Sequence, residues 1–371
     1  MQRKKIAIVV SAMNLGGAQR VVSILSNYWS HNGYEVSLIS TFTGKDNSHY
    51  SVNESIKLLQ LKEYKYFYGN RFLNLIWKLL QLRKIFKYQN PDIIISFLTR
   101  VNIASALATF GTNKRLVISE RTWTPFASIN KNFYWFYRLV FSNVESIIVQ
   151  TDQSKRWLQK NFYNFKVNVI PNPVSYPLTI QKGQAISPDK FMFENKKIIL
   201  ASGRLHKFKQ FDLLIKAFSK ISDYYLDWDL IILGEGEDRI RLQSLIDSKK
   251  LQRRVHMPGS VGNISDWYHA SDIFVLSSLV EGFPNVLLEA MSYGLPCISF
   301  DCNTGPKEMI EHNVNGLLVS PIEDVEGLRA AIIRLIENPD LRKNISNQSV
   351  TIRDKYSINN IMKMWDQILE K

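Results

Sequence analysis

Ile198-Ile199-Leu200-Ala201-Ser202-Gly203-Arg204-Leu205-His206-Lys207-Phe208-Lys209, running on through Asp212-Leu213-Leu214-Ile215-Lys216-Ala217-Phe218, decides how the rest of the chain is read. Its opening apolar run has no polar break, the mark of a strand buried on both faces of a parallel sheet. A glycine and a cluster of cations follow, then apolar residues at helical spacing. The same strand, loop and helix pattern recurs on both sides. Apolar runs stand at 6–10, 36–40, 93–97, 116–119 and 147–150 before it, and at 230–233, 273–276 and 297–300 after it. Such alternation means βαβ units wound into parallel sheets, an α/β fold of doubly wound, Rossmann-like type.

The chain has 371 residues. At roughly 100–200 residues per domain this is two domains. The alternation pauses near Pro171, Pro173, Pro177, Gly183 and Pro188, which reads as a linker. The expected units are therefore 1–175 and 190–355, followed by a C-terminal helix over 356–371. Ile361, Met364, Trp365 and Ile368 give that helix one apolar face, which could pack on either domain, including back on the N-terminal one. Two such domains facing each other would make a central cleft, with ligands at the carboxyl ends of the strands.

Composition excludes several classes. Hydrophobic residues make up 45% and charged residues 22%, which is ample for two cores and rules out disorder as the main state. No apolar run approaches the ~18 residues that span a bilayer. Met1-Gln2-Arg3-Lys4-Lys5 precedes a run too short for a secretory signal, so residues 6–10 read as a first strand. Cys297 and Cys302 cannot build a disulfide framework or a four-ligand zinc site, and a reducing, cytoplasmic setting is expected.

The net charge of +14 is unevenly spread. Residues 1–180 hold 23 Lys and Arg against 8 Asp and Glu; residues 181–371 hold 24 against 25. The basic density peaks over 57–90, where Lys57, Lys62, Lys65, Arg71, Lys78, Arg83, Lys84 and Lys87 meet Glu63 alone. Phe72, Leu75, Ile76, Leu79, Leu80 and Leu82 in the same stretch follow helical spacing. A basic helix rich in aromatics over 57–90 reads as an interface with anionic lipid. A core-packed helix with a solvated basic face is the plainer alternative. Nucleic acid is not expected, because no nucleic-acid-binding motif accompanies the charge.

Several loops could carry chemistry. Asn14-Leu15-Gly16-Gly17-Ala18-Gln19-Arg20 lies between a strand and a helix, where Gly16 and Gly17 would let the backbone approach a ligand. Gly203, Arg204 and Lys209 sit at a strand's carboxyl end, and the two cations suit a diphosphate. Leu233-Gly234-Glu235-Gly236-Glu237 is similar to a dinucleotide fingerprint but has Arg239 where the third glycine belongs, leaving Gly234 in a nucleotide-edge turn or a simple one. Asp227-Trp228-Asp229 matches a metal-binding pattern, yet it precedes its strand and is read as accidental. Glu281-Gly282-Phe283-Pro284-Asn285-Val286-Leu287-Leu288-Glu289 is the most specific stretch: a loop carboxylate and a helix carboxylate able to reach one ligand. Asp301-Cys302-Asn303-Thr304-Gly305-Pro306-Lys307 is a further strand-end loop.

Together these motifs resemble the family 4 retaining glycosyltransferases of GT-B fold, and the likeness covers nearly the whole chain. It rests on Gly16-Gly17-Ala18-Gln19-Arg20, on Gly203-Arg204-Leu205 with Lys209, on Glu281 with Glu289, and on 301–307. Within the family the chain looks most like bacterial enzymes that extend lipid-linked oligosaccharides or capsule repeats, N-acetylgalactosaminyltransferases in particular. The basic stretch, Ile94-Ile95-Ser96-Phe97-Leu98 and Ile118-Ser119-Glu120 add to that likeness. The resemblance implies transfer of a hexose or N-acetylhexosamine, with retention and without a metal or other cofactor. The donor would be a nucleoside-diphosphate sugar, uridine-linked by the same resemblance, and the acceptor a polyprenyl-diphosphate-linked saccharide. The enzyme would sit peripherally on the inner face of the cell membrane. Arg204, Lys209 and Glu281 would be catalytic; Gly16, Gly17, Glu120, Arg121, Gly203, Gly234, Phe283, Pro284, Asn285 and Glu289 would bind substrate. Two positions depart from the family: Arg121 stands where many members carry His, and Gln210 stands where Gly usually follows the phosphate lysine. A sugar-nucleotide epimerase or hydrolase of the same fold, or a non-catalytic partner subunit, are the alternatives.

Overall fold

The uninterrupted apolar runs become parallel strands in the computed structural model. It describes residues 4–13, 16–41, 50–61, 71–122, 134–162, 164–179, 183–191 and 196–370, apart from the side chains of 71 and 72. Asn14 and Leu15 of the glycine turn, residues 62–70 of the basic stretch, and 180–182 and 192–195 of the expected linker lie outside the described residues.

Strands β1 (Lys5–Val10), β2 (Glu35–Ser40), β3 (Lys57–Gln60), β4 (Ile93–Phe97), β5 (Arg115–Ser119), β6 (Ser146–Val149) and β7 (Val167–Val169) form one sheet. Its order is β3-β2-β1-β4-β5-β6-β7 and every pairing is parallel. Helices α1 (Gly17–His31), α2 (Arg71–Gln89), α3 (Thr99–Thr109), α4 (Tyr134–Val140) and α5 (Asp152–Asn161) lie between these strands in sequence. A second parallel sheet, ordered β10-β9-β8-β11-β12-β13, holds β8 (Lys197–Ser202), β9 (Trp228–Leu233), β10 (Val255–Gly259), β11 (Ile273–Leu276), β12 (Cys297–Phe300) and β13 (Leu317–Val319). Its helices are α6 (Phe211–Ser219), α7 (Arg239–Ser248), α8 (Ile264–His269), α9 (Asn285–Ser292), α10 (Pro306–Met309), α11 (Val325–Glu337), α12 (Pro339–Ser349) and α13 (Ile352–Lys355); α14 (Ile358–Leu369) ends the chain.

The chain divides into two compact units, Met1–Pro173 with Ile361–Lys371, and Val174–Asn360. Each sheet reverses its winding once, between β1 and β4 in the first and between β8 and β11 in the second. At such a reversal the flanking loops diverge and leave a crevice beyond the strands' carboxyl ends, the place where open α/β sheets bind ligands. In the second unit the loops at that point are 203–210 and 277–284. In the first they are the Gly16 turn after β1 and the Leu98–Thr99 turn after β4, with Glu120 and Arg121 following the neighbouring β5.

Helix α14 begins at the end of the second unit and packs on the first. Trp365 is fully buried, edge-on to Trp29 with ring centroids 5.9 Å apart and beside Phe97 at 6.3 Å. Its last carbonyls accept from cations of the first sheet: Lys4 Nζ donates to Leu369 O at 3.3 Å, and Arg115 Nη2 to Ile368 O at 3.1 Å. Cations there satisfy orphan carbonyls and oppose the helix dipole.

The basic stretch corrects one expectation. It is not a helix from 57: Lys57–Gln60 is edge strand β3, parallel to β2, with Lys57 Nζ 2.5 Å from Glu35 Oε1. An edge strand with both faces largely exposed needs only backbone partners, so it leaves little apolar pattern. The helix is α2, from Arg71. Only part of its apolar side is covered: Leu82 and Phe86 are buried, whereas Leu75, Ile76 and Leu80 are exposed among the described residues.

Candidate functional site

In the second unit the loops after β8 and β9 lie backbone to backbone. Gly203 N–H donates to Leu233 O at 3.0 Å and Leu205 N–H to Glu235 O at 2.9 Å. A Cβ on Gly234 would stand 1.9 Å from Gly203 O, and the residue's φ is +130°. Gly234 is therefore required by this close approach, which the sequence pattern had left open between a ligand contact and a turn. The 207–209 segment is a short 3-10 turn whose Phe208 N–H is accepted by His206 Nδ1 at 3.2 Å. It is tied to the loop after β11: Leu279 N–H donates to Phe208 O at 2.9 Å, and Ser277 Oγ to Lys209 O at 2.8 Å.

This stitching brings two expected residues together. Lys209 Nζ lies 2.5 Å from Glu281 Oε1, and Ser278 Oγ donates to the same oxygen at 2.6 Å. The pair is mostly shielded, with side-chain exposures of 22% and 11%. Thr304 Oγ1 donates to Glu281 O, and Gly305 (φ +96°) lets the loop after β12 close on it, since a Cβ there would meet Pro284 Cδ at 2.8 Å. Ser277, Ser278 and Thr304 were not expected from sequence; isolated serines and threonines carry no spacing signal. Gln210, in place of the family's glycine, adopts the left-handed conformation (φ +48°) and donates through Nε2 to Glu323 Oε1 at 2.5 Å.

Gly203 borders that pair, since a Cβ there would stand 3.2 Å from Lys209 Cε, whereas the other expected side chains have partners elsewhere. Arg204 is exposed, 3.9 Å from Glu237 Oε2. Glu289 projects from α9 into the interior, buried, and accepts from Tyr268 Oη at 3.1 Å. Pro284 precedes α9 as its N-cap, Asn285 begins it, and Phe283 packs on the Tyr356 ring at 5.4 Å. Asp229 is a structural residue, buried in β9 with Oδ1 accepting from Arg254 Nε at 2.7 Å.

In the first unit, Gly16 is extended, and Tyr50 brackets it: Gly16 N–H donates to Tyr50 Oη at 3.2 Å and Tyr50 Oη–H to Gly16 O at 3.0 Å. Gly17 opens α1. Glu120 and Arg121 are both buried but bond different partners. Asn102 Nδ2 donates to Glu120 Oε1 at 2.8 Å and Thr99 Oγ1 to Oε2 at 2.7 Å; burial nevertheless raises the Glu120 pKa. Arg121 Nη1 donates to Asn172 Oδ1 at 2.5 Å, and its guanidinium lies 4.8 Å from the Phe97 ring centroid.

Comparison with known proteins agrees with this architecture. A family model for Glycosyltransferase Family 4 matches residues 15–176, and one for Glycosyl transferases group 1 matches 184–350. A glycosyltransferase of Methanocaldococcus jannaschii is 30% identical, covering 81% of this chain and 84% of its own. A Campylobacter jejuni GalNAc-alpha-(1->4)-GalNAc-alpha-(1->3)-diNAcBac-PP-undecaprenol alpha-1,4-N-acetyl-D-galactosaminyltransferase is 26% identical over 98% of each chain. Among solved structures, Anabaena HepE in complex with UDP and glucose superposes with a TM-score of 0.80 at 17% identity, over 99% of this chain and 100% of its own. With two parallel Rossmann-like sheets and a relative matched over most of both lengths, the chain belongs to glycosyltransferase family 4 and has the GT-B fold.

Proposed function

We propose that this glycosyltransferase moves a hexose or N-acetylhexosamine, with retention and without a metal, from a uridine-diphosphate sugar to a polyprenyl-diphosphate-linked saccharide in bacterial surface-glycan assembly. The observation that carries the reading is the Lys209–Glu281 pair at the winding reversal between β8 and β11. A shielded ammonium there can stabilise the charge that develops on a departing diphosphate, the kind of electrostatic term that dominates many transfers. Arg204, on the same loop and free to swing from its loose contact with Glu237, adds a planar fork for phosphate oxygens. Glu281 keeps one carboxylate oxygen beyond the two donors that share Oε1, suited to a donor-sugar hydroxyl. The backbone of Phe283 to Asn285 would help Glu281 hold the donor sugar, and Glu289 would bind the ribose hydroxyls. Gly16 and Gly17 would approach the donor phosphate and the acceptor, and Glu120 and Arg121 would bind substrate as well. Retention then follows same-face attack on an oxocarbenium-like centre, which depends on positioning. The lipid-linked acceptor is supported by the C. jejuni relative's name, and the uridine base by the HepE complex and the family resemblance.

No described helix is long and apolar enough to cross a membrane. Attachment to the membrane's inner face is instead assigned to α2, where exposed Leu75, Ile76 and Leu80 share one helix with Lys78, Arg83, Lys84 and Lys87. Apolar side chains entering the interface and cations beside anionic headgroups act together, at about 1 kcal/mol per cation.

The deciding experiment is thermal unfolding with UDP, GDP, ADP and NAD in the presence of a chelator, followed by transfer to lipid-linked acceptors. Saturation at 100 times the dissociation constant adds roughly 2.7 kcal/mol. A shift with UDP and acceptor-dependent transfer are expected. Conversion of the nucleotide sugar without acceptor would mean an epimerase or hydrolase, and no response to any nucleotide would mean a partner subunit.

A further inference from the structure

Arg121 is a buried cation without a counter-charge among the described residues. Its residue exposure is 9%, yet no ion pair reaches it among the described residues. The adjacent Glu120 makes no ion pair with it among the described residues: its carboxylate oxygens accept from Asn102 and Thr99, and burial alone acts on the arginine. Of the three guanidinium nitrogens, only Nη1 has a partner among the described residues, Asn172 Oδ1, which also accepts from Gln150 Nε2 at 2.8 Å. Nε and Nη2 are buried with no hydrogen-bond partner among the described residues. These two nitrogens form one edge of the guanidinium, with parallel N–H groups spaced to meet two oxygens of a single carboxylate or phosphate. A buried charge left unpaired costs several kcal/mol, and native chains rarely keep one without use. Burial pushes the group's pKa down to about 9, which leaves it charged at neutral pH.

We propose that the Nε/Nη2 edge of Arg121 is an oxyanion subsite of the first unit, receiving an anionic group of the acceptor. This rests on the reading of the chain as a transferase with a lipid-linked acceptor, and deepens it by naming the chemistry the acceptor must bring. A neutral sugar hydroxyl could satisfy one N–H but would leave the charge uncompensated. A diphosphate of the lipid carrier and the carboxylate of an acidic sugar share the required pair of oxygens.

The test uses the full chain saturated with UDP, so that a nucleotide site is filled before the anion is added. Inorganic pyrophosphate and glucuronate are titrated by calorimetry, with glucose as the neutral control. Arg121→Gln is expected to weaken at least one anion by roughly ten- to a hundredfold. Arg121→Lys, which keeps the charge and loses the fork, should recover only part of it, and glucose should not distinguish the three proteins. Loss confined to pyrophosphate assigns the carrier diphosphate; loss confined to glucuronate assigns an acidic sugar. Equal affinities for both anions in wild type and a folded Arg121→Gln would overturn the proposal, as would a wild type that binds neither. UDP stabilisation is read in the same samples, so loss of the transferase reading itself appears separately, as no response to UDP.

Discussion

Glu281 holds its place through contacts from three loops, and its carboxylate oxygen Oε1 is shared by Lys209 and Ser278. Glu281→Gln keeps the shape but removes the charge that Lys209 faces. Transfer is expected to fall by about 10²-fold or more, in line with the loss of one preorganised electrostatic contact. UDP affinity should change far less; an unchanged turnover would remove Glu281 from the reaction. At Arg121 stability and function pull in opposite directions. Arg121→Met removes a buried charge and should stabilise the first unit by about 1 kcal/mol or more, a few degrees in Tm. The sign with pH follows from its depressed pKa. Below about 9 the arginine is charged in the folded and unfolded chain alike, so the whole burial cost is present. Above about 9, and below the ordinary arginine value, the unfolded chain holds the proton and the folded chain releases it, so that cost shrinks as pH rises. The stability gap between Arg121→Met and wild type should therefore narrow on moving from pH 7 to pH 10; a constant gap would mean the charge is compensated.

At the scale of elements, the loops after β8 and β9 touch without side chains between them. Gly234→Ala puts a Cβ 1.9 Å from Gly203 O at a φ of +130°, where L side chains are strained. Clash and backbone strain together should cost about 2–4 kcal/mol, read in denaturant unfolding. UDP binding should weaken as well, because Gly203 and Arg204 move with that contact. Helix α2 makes a separate prediction. Lys84 and Lys87 are exposed. Lys84→Glu with Lys87→Glu should weaken binding to vesicles containing anionic lipid without changing UDP affinity. Undiminished vesicle binding would take membrane docking away from α2. The sequence placed this helix by its spacing from Arg71 onward but could not end it correctly on the N-terminal side. Leu58 and Leu59 in β3 fit a strand or a helix equally well, and only the backbone pairing with β2 decides between them.

Over the whole molecule, α14 is the element that sequence could not assign. Its apolar face was legible in Ile361, Trp365 and Ile368, but an apolar stripe names no partner. The partner follows from Trp29 and Phe97, which meet Trp365, and from Lys4 and Arg115, which meet the helix's last carbonyls. Trp365→Ala should cost about 3–5 kcal/mol of stability. Trp365→Phe should cost much less, because the indole Nε1 is buried without a hydrogen-bond partner among the described residues. A small loss with alanine would mean the helix is not part of the first unit's core.

The sequence by itself determined the two parallel sheets, since uninterrupted apolar strands can be covered only by helices on both faces. It also determined which loops carry Gly203, Lys209, Glu281 and Arg121, because loops at strand ends are fixed once strands are. The tertiary structure decided which of those side chains meet. Lys209 and Glu281 are 72 residues apart and pair because β8 and β11 are neighbours across the winding reversal. Arg204, five residues from Lys209, stays on the surface. Glu289 turns inward to Tyr268, and Arg121 is left with one bonded nitrogen and two buried ones that have no partner among the described residues. Local pattern records what each residue prefers, whereas charge pairing and burial depend on neighbours that only the packed sheets bring together.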